Sequence, residues 1–398
     1  MGSKLFIVVC LLFLVLKNGC SLNGMFPCRT RTHGLTKLFL GSNEIVPWTY
    51  DGVIGELSSV LAALDEREKG VNDVGPGMRW ERDNESGAWV LMPSSVPFAV
   101  VHFIGGAGFG TYPHIAYREF LERVVDRCGG GVAVVAVPYE AGLAHGKLAV
   151  ASEAIFDDVF ARIVEREFWP PTLRILRLGH SLGAKLHVLN VCAYSECHRD
   201  GVYQPIYVGL VAFNNFGLKD SVAQAITFLE AVGGSQLGAF KNQIIDFAKM
   251  AVAASGFEFD PDPDVTKSVI SEIKDKEASL TAFRFVDDEL DSTRDLGNLE
   301  MAENGVGLRQ SESQLEVVEL PGDHLASVFI NVKAEELATE KAIPDAIAGL
   351  IDENGSFSFG SEELLEELVD AVVGWVVPLK KKRGETRRLP LLEPNPAE

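Results

Sequence analysis

Four runs of almost unbroken apolar residues punctuate the middle of the chain: "VPFAVVHFIGG" (Val96–Gly106), "GVAVVAVPY" (Gly131–Tyr139), "LRILRLG" (Leu173–Gly179) and "IYVGLVAFNNF" (Ile206–Phe216). A strand with one wet face alternates apolar and polar side chains, whereas a run without polar relief has both faces buried. The segments between the runs repeat their apolar residues at helical spacing. "HIAYREFLERVVDRCGG" does so through Ile115, Phe120, Leu121, Val124 and Val125 and stops at glycine. "KLAVASEAIFDDVFARIVE" does so through Leu148, Ile155, Phe156, Val159 and Ile163, and "LGAKLHVLNVCAY" follows the third run. Doubly buried strands alternating with amphipathic helices predict an α/β chain with a doubly wound, mostly parallel sheet covered on both faces. Arg174 and Arg177 stand inside the third run and require a strand end or a partner carboxylate.

Ahead of these runs, "MRWERDNESGAWVLMPSS" reads as two strands around a turn at Asn84–Gly87. Behind them the alternation breaks. Residues 219–275 carry the helical patterns "SVAQAITFLEAV" and "AFKNQIIDFAKMAVAA", then the proline-broken "DPDPD", with no strand. This reads as a helical lid inserted into one α/β domain spanning 44–379. Strands resume with "LTAFRFVDD" and "LEVVELPG". A last helix, "SEELLEELVDAVVGWVVPL", lines up Leu364, Leu365, Leu368, Val372, Trp375 and Val376. Residues 380–398 form a basic, proline-rich tail, read as solvated, with contact to a membrane surface as the alternative.

The third run ends in Gly179-His180-Ser181-Leu182-Gly183 and a helix pattern follows it at once. A serine on a tight strand-to-helix turn, with a glycine two residues to either side, is the nucleophile-elbow pattern G-x-S-x-G. The neighbours must be small because the turn crowds them. A serine hydroxyl is a weak nucleophile at neutral pH and needs a base, itself oriented by an acid. On this kind of sheet the acid and then the histidine follow the serine in chain order. "TAFRFVDDELDS" offers Asp287, Asp288 and Asp291 at a strand end. "VVELPGDHLASV" offers His324 just past the last strand, while His102, His114, His145 and His187 fall in strand, loop or helix patterns that explain them otherwise. An oxyanion requires two N–H donors. The amide of Leu182 is one candidate, and the loop after the first run, at Gly105 and Gly106, supplies the other. A nucleotide-binding reading of that loop fails on spacing, since Thr111 stands where the third glycine of G-x-G-x-x-G belongs, and no G-K-S/T follows.

The chain carries a formal net charge of −20, which argues against a nucleic-acid partner. Residues 1–43 nevertheless hold no Asp or Glu and carry Lys4, Lys17, Arg29, Arg31 and Lys37. "LFIVVCLLFLVL" (Leu5–Leu16) suits a signal-peptide core and is short for a bilayer span. The basic, hydroxylated "GMFPCRTRTHGLTKLF" behind it has the composition of a transit peptide, with Phe26 near its start. A bipartite leader of this kind predicts delivery to a secondary plastid; secretion, retention in the ER lumen, or a single N-terminal anchor are the alternatives. Three of the six cysteines, Cys10, Cys20 and Cys28, lie in the leader, and Cys128, Cys192 and Cys197 make no disulfide framework. Cys192, Cys197 and His198 lack a further ligand pair, so neither a metal nor a cofactor is expected.

Taken together, "FIGGAGFGTYPHIAYREFLERV", "VPYEAGLAHGKLAVASEAIFDDVF", "GHSLGAKLH", "FRFVDDELDST" and "PGDHLASV" resemble the α/β-hydrolase superfamily. More narrowly, they are similar to the domain of unknown function 1350 family of plants, algae and cyanobacteria, over most of Trp80–Leu379. The resemblance implies an α/β-hydrolase fold and a plastid address. Family spacing favours Asp288 as the acid partner, with Asp287 the alternative. The reading is then a serine hydrolase of ester or thioester substrates, with Ser181, Asp288 and His324 as its triad. A lid over an apolar pocket suits a lipid-like acyl or prenyl ester. Two other readings stay open: an acyltransferase using the same triad, and a catalytically silent binding or assembly protein that keeps the fold.

Overall fold

The computed structural model describes residues 78–170, 172–193, 198–199, 202–203, 206–221, 256–272, 278–297, 315–333 and 356–381, with Leu61, Leu64 and Asp65. The leader 1–43, most of the expected lid, the tail beyond Lys381 and the side chains of Cys192 and Cys197 lie outside the described residues.

The chain enters the sheet as a hairpin. Strand β1 (Arg79–Arg82) pairs antiparallel with β2 (Trp89–Met92). At the turn read from the sequence, the Asp83 carboxylate accepts the Ser86 N–H at 2.9 Å and Gly87 takes a φ of 75°. The apolar runs become β3 (Ala99–Ile104), β4 (Val132–Ala136), β5 (Arg174–His180) and β6 (Ile206–Val211), followed by β7 (Ala278–Phe285) and β8 (Leu315–Leu320). The eight strands lie in the order β1-β2-β4-β3-β5-β6-β7-β8. β2 meets β4 antiparallel, and every pairing from β4 to β8 is parallel.

The absence of polar relief in the central strands follows from how their side chains divide. Val101, Phe103, Val134, Leu176 and Leu178 join one core with Phe120 and Val124 of α1 (Arg118–Arg127). Leu368 and Val372 of α5 (Glu362–Lys381) complete that layer. On the other face, Val100 and Val135 meet Phe156, Val159 and Ile163 of α2 (His145–Arg166). Val208, Leu210 and Ala282 meet Ala184 and Val188 of α3 (Leu182–Ala193), and Ile270 of α4 (Pro263–Glu272) seals that layer. A helix-covered, mostly parallel sheet with a serine at the β5–α3 turn is the α/β-hydrolase arrangement.

Along α5, Leu365, Leu368, Val372 and Val376 are buried as the sequence pattern requires, while Leu364 and Trp375 are half-buried. Burying each such side chain stabilises by about 1.5–3 kcal/mol. The Arg123–Glu362 and Arg127–Asp370 ion pairs between α1 and α5 are solvent-facing, where such pairs are worth about 0–1 kcal/mol each. The apolar stripe therefore dominates the docking of α5.

Both strand arginines find partners. Arg177 on β5 pairs with the buried Glu153 carboxylate of α2. Arg174, the first residue of β5, donates to the Leu379 carbonyl near the end of α5 and lies 5.5 Å from the centre of the Tyr207 ring. No helix among the described residues is long and apolar enough to cross a membrane.

Candidate active site

Parallel strands end on the same edge of a sheet, and here register fixes which ends are adjacent. Ile104 of β3 pairs with Gly179 of β5, His180 with Val211 of β6, and Phe285 of β7 with Leu320 of β8. The loops that follow these strands carry Gly105, Ser181, Asp288 and His324, so all four converge on the carboxyl edge, where α/β sheets place their sites.

Ser181 stands between β5 and α3 with a φ of 53°, in the left-handed region that ordinary side chains avoid. The strain is held by backbone bonds on both sides. The Ser181 N–H donates to the Val211 carbonyl at 2.9 Å, and its carbonyl accepts from the Ala184 and Lys185 amides at 3.1 and 3.3 Å. The flanking glycines are steric requirements. A Cβ on Gly183 would stand 2.0 Å from the Ile104 carbonyl oxygen, and one on Gly179 would stand 2.5 Å from the Gly183 carbonyl carbon. The turn thus wedges α3 against the end of β3 as it presents the serine.

Ser181 Oγ lies 2.8 Å from His324 Nε2. On the far side of the imidazole, Nδ1 lies 2.9 and 3.0 Å from the two carboxylate oxygens of Asp288. Asp288 also accepts the Leu290 N–H at 2.8 Å. Burial alone would raise the Asp288 carboxyl. The positive potential and hydrogen bond of His324, with the Leu290 amide, outweigh it and hold the carboxyl below its ordinary value. An ionised Asp288 accepts a hydrogen bond from Nδ1–H, which leaves Nε2 as the acceptor facing the serine hydroxyl. Asp287 is exposed and Asp291 is engaged by Arg284 at 2.9 Å, so among the three strand-end carboxylates Asp288 meets the histidine. Ser181 and His324 are 7% and 5% exposed.

The oxyanion expectation needs one correction. Leu182 opens α3, so its amide belongs to the first-turn donors without an intrahelical acceptor. Gly106 instead gives its N–H to the Tyr117 hydroxyl at 2.8 Å. The Tyr117 side chain is wholly buried behind the loop, and its hydroxyl requires partners there. Gly105 directs its carbonyl to the Tyr139 hydroxyl at 2.9 Å.

Two residues at this site escaped the sequence reading. Tyr117 lies in the helical pattern "HIAYREFLERVV" and belongs to no motif there. His180 occupies a variable position of G-x-S-x-G, and its polar character inside an apolar strand was the available signal. Its ring centre lies 5.2 Å from that of His324. Among the described residues, no group of three or more His, Cys, Asp or Glu side chains is arranged to hold a metal ion.

No curated protein shows significant sequence similarity to the chain. Solved structures match it at low identity. An esterase from Rhizomucor miehei is 14% identical with a TM-score of 0.44, covering 88% of this chain and 97% of its own. Carboxyl esterase 2 from the mycorrhizal fungus Tuber melanosporum is 14% identical with a TM-score of 0.40, covering 81% and 98%. Est1E from Butyrivibrio proteoclasticus is 13% identical with a TM-score of 0.37, covering 76% and 98%. The family model described as "Protein of unknown function (DUF1350)" matches residues 80–365, and the chain belongs to that family.

Proposed function

We propose that the protein is a serine hydrolase of esters or thioesters. The observation that carries this reading is the continuous Ser181–His324–Asp288 chain, with Ser181 held in a left-handed conformation at its head. In the first half-reaction Ser181 Oγ attacks the acyl carbonyl carbon as its proton passes to His324 Nε2. Asp288 stabilises the imidazolium and keeps the ring in place. The Leu182 amide is one of the two donors that the negative charge on the former carbonyl oxygen requires. His324 then protonates the departing alcohol or thiol, which leaves an acyl ester on Ser181. In the second half-reaction His324 takes a proton from water, the resulting hydroxide attacks the acyl carbonyl, and the proton returns to Ser181 as the carboxylic acid leaves. Acyl transfer differs only in that an alcohol replaces the water.

A lipid-like acyl or prenyl ester is the substrate class we favour, on the strength of the two amphipathic patterns in residues 219–254. The acid-free, two-part leader supports a plastid address. A fluorescent fusion of residues 1–43 tests that address, and a signal in the culture medium would refute it.

Treatment of the full chain with a fluorophosphonate probe tests the chemistry. Covalent labelling that is absent from Ser181→Ala is the expected result. A folded wild-type protein that takes up no label would overturn the hydrolase reading in favour of a silent binding protein.

A further inference from the structure

Behind the serine, a second hydrogen-bond chain links the Gly106 loop to the His324 loop. The Gly106 N–H donates to Tyr117 Oη at 2.8 Å; Oη lies 2.8 Å from His180 Nδ1; His180 Nε2 lies 2.8 Å from the His324 carbonyl oxygen. The proton positions follow from the two ends. A carbonyl only accepts, so His180 Nε2 carries a hydrogen and donates it. A neutral imidazole protonated there offers Nδ1 as an acceptor, and the Tyr117 hydroxyl spends its one proton on it. The oxygen lone pairs of Tyr117 then receive the Gly106 amide. Every group in the chain is used, and both rings are at most 1% exposed.

Through His180 the chain ties the turn that carries Ser181 to the loop that carries His324, and through Tyr117 it ties the same turn to the Gly106 loop. Gly106 lies so close that a Cβ on it would stand 2.9 Å from His180 Nδ1 and 3.2 Å from Ser181 Cβ. His180 is the residue before the serine, and it grips the main chain of the histidine that faces that serine. The Tyr117 ring is itself fixed edge-on against Phe103, with ring centres 4.9 Å apart.

We propose that Tyr117 and His180 are positioning residues, which clamp the turn of Ser181 against the His324 main chain and the Gly106 loop so that Ser181 Oγ and His324 Nε2 stay in hydrogen-bond reach. The proposal rests on the hydrolase reading of the site. It is consistent with the electrostatics: burial, and then the neighbouring His324, push His180 down to about 3, so the ring stays neutral in the working range. A neutral His180 puts no like charge beside the imidazolium that His324 becomes in each half-reaction.

The test is the rate at which a fluorophosphonate ester labels Ser181 in the full chain. Tyr117→Phe and His180→Leu should each slow labelling roughly 10- to 100-fold, the scale of a misplaced catalytic group. The double variant should be no slower than the slower single variant, because either change breaks the same chain. His180→Gln, which offers one acceptor and one donor, should recover part of the rate. Imidazole 15N spectra supply a readout that a packing role would not move. The signals missing from His180→Leu should be those of an Nε2–H tautomer, unchanged in the wild type from pH 5 to 8, and Tyr117→Phe should disturb them.

Wild-type rates in both single variants, a double variant that multiplies their effects, or an Nδ1–H or titrating ring at position 180 would each overturn the clamp. A folded wild type that never labels would remove the hydrolase reading instead, leaving the tautomer measurement to judge the hydrogen-bond chain alone.

Discussion

Arg177→Met should be among the most destabilising substitutions in the sheet. Arg177 is 8% and Glu153 3% exposed, and the pair joins β5, the strand that leads into Ser181, to helix α2. At hydrogen-bond distance and an effective dielectric constant of about 20, the attraction is roughly 5 kcal/mol. Desolvation of both ions offsets much of that, but removing Arg177 leaves the Glu153 carboxylate buried with only the His102 and Asn190 side chains beside it, at a cost of about 3–5 kcal/mol. With a urea m-value of about 3 kcal/mol/M, the unfolding midpoint at pH 8 should fall by about 1–2 M. The pH dependence gives a second check. Burial would raise the Glu153 carboxyl, yet the His102 hydrogen bond and the Arg177 charge hold it well below the ordinary range. A depressed carboxyl contributes stability above its unfolded value and loses it as pH falls through the folded one, so the wild-type contribution is constant from pH 5 to 8. Without Arg177, only the His102 and Asn190 side chains oppose burial, so the carboxyl rises from its depressed value and the variant falls behind the wild type as pH rises through the new one. The gap between wild type and variant should therefore widen from pH 5 to pH 8, while Glu153→Gln added to Arg177→Met should recover part of the loss. A cost under about 1 kcal/mol at pH 8, or a gap that narrows with rising pH, would refute this account of the pair.

Asp288→Asn keeps the shape but offers an amide hydrogen to Nδ1, which favours the wrong imidazole tautomer; labelling of Ser181 should fall by roughly 10³–10⁴-fold, measured as a second-order rate, with the melting temperature nearly unchanged. Lys185 on α3 is 1% exposed, and burial lowers it to about 8 despite the opposing charges of Glu258, Asp262 and Asp295. A basic group depressed in the folded state costs stability below its folded value and ceases to do so above its unfolded one, so Lys185→Met should raise the melting temperature at pH 7, by a margin that shrinks between pH 8 and 10. A lower melting temperature at pH 7 would show that the acidic neighbours need the charge more than burial opposes it.

How far the sequence could be read depended on whether a feature was periodic or angular. Burial on both faces leaves a mark at every position of β3 to β6, so the parallel sheet and its helical cover were legible before any contact was known. Ser181 was legible for a related reason: the clash at Gly183 is with main chain, which no side-chain choice can relieve, so the motif must spell glycine. His324 followed from strand order alone. Choosing Asp288 over Asp287 on residue evidence was harder, because adjacent residues at a strand end point to opposite sides and one residue of turn decides which side faces the histidine. The Gly106 amide was illegible for a stronger reason. A backbone N–H has no letter of its own, and its direction was set by a tyrosine eleven positions away whose buried hydroxyl required a donor. Arg177 lies between these cases: its need for a carboxylate was plain, but nothing in "KLAVASEAIFDDVF" marked Glu153 over Asp157 or Asp158 until α2 was set at an angle on the sheet. Polar groups that serve one another across elements are thus the part of this fold that pattern reading underdetermines, and the Tyr117–His180 chain beside the serine belongs to that class.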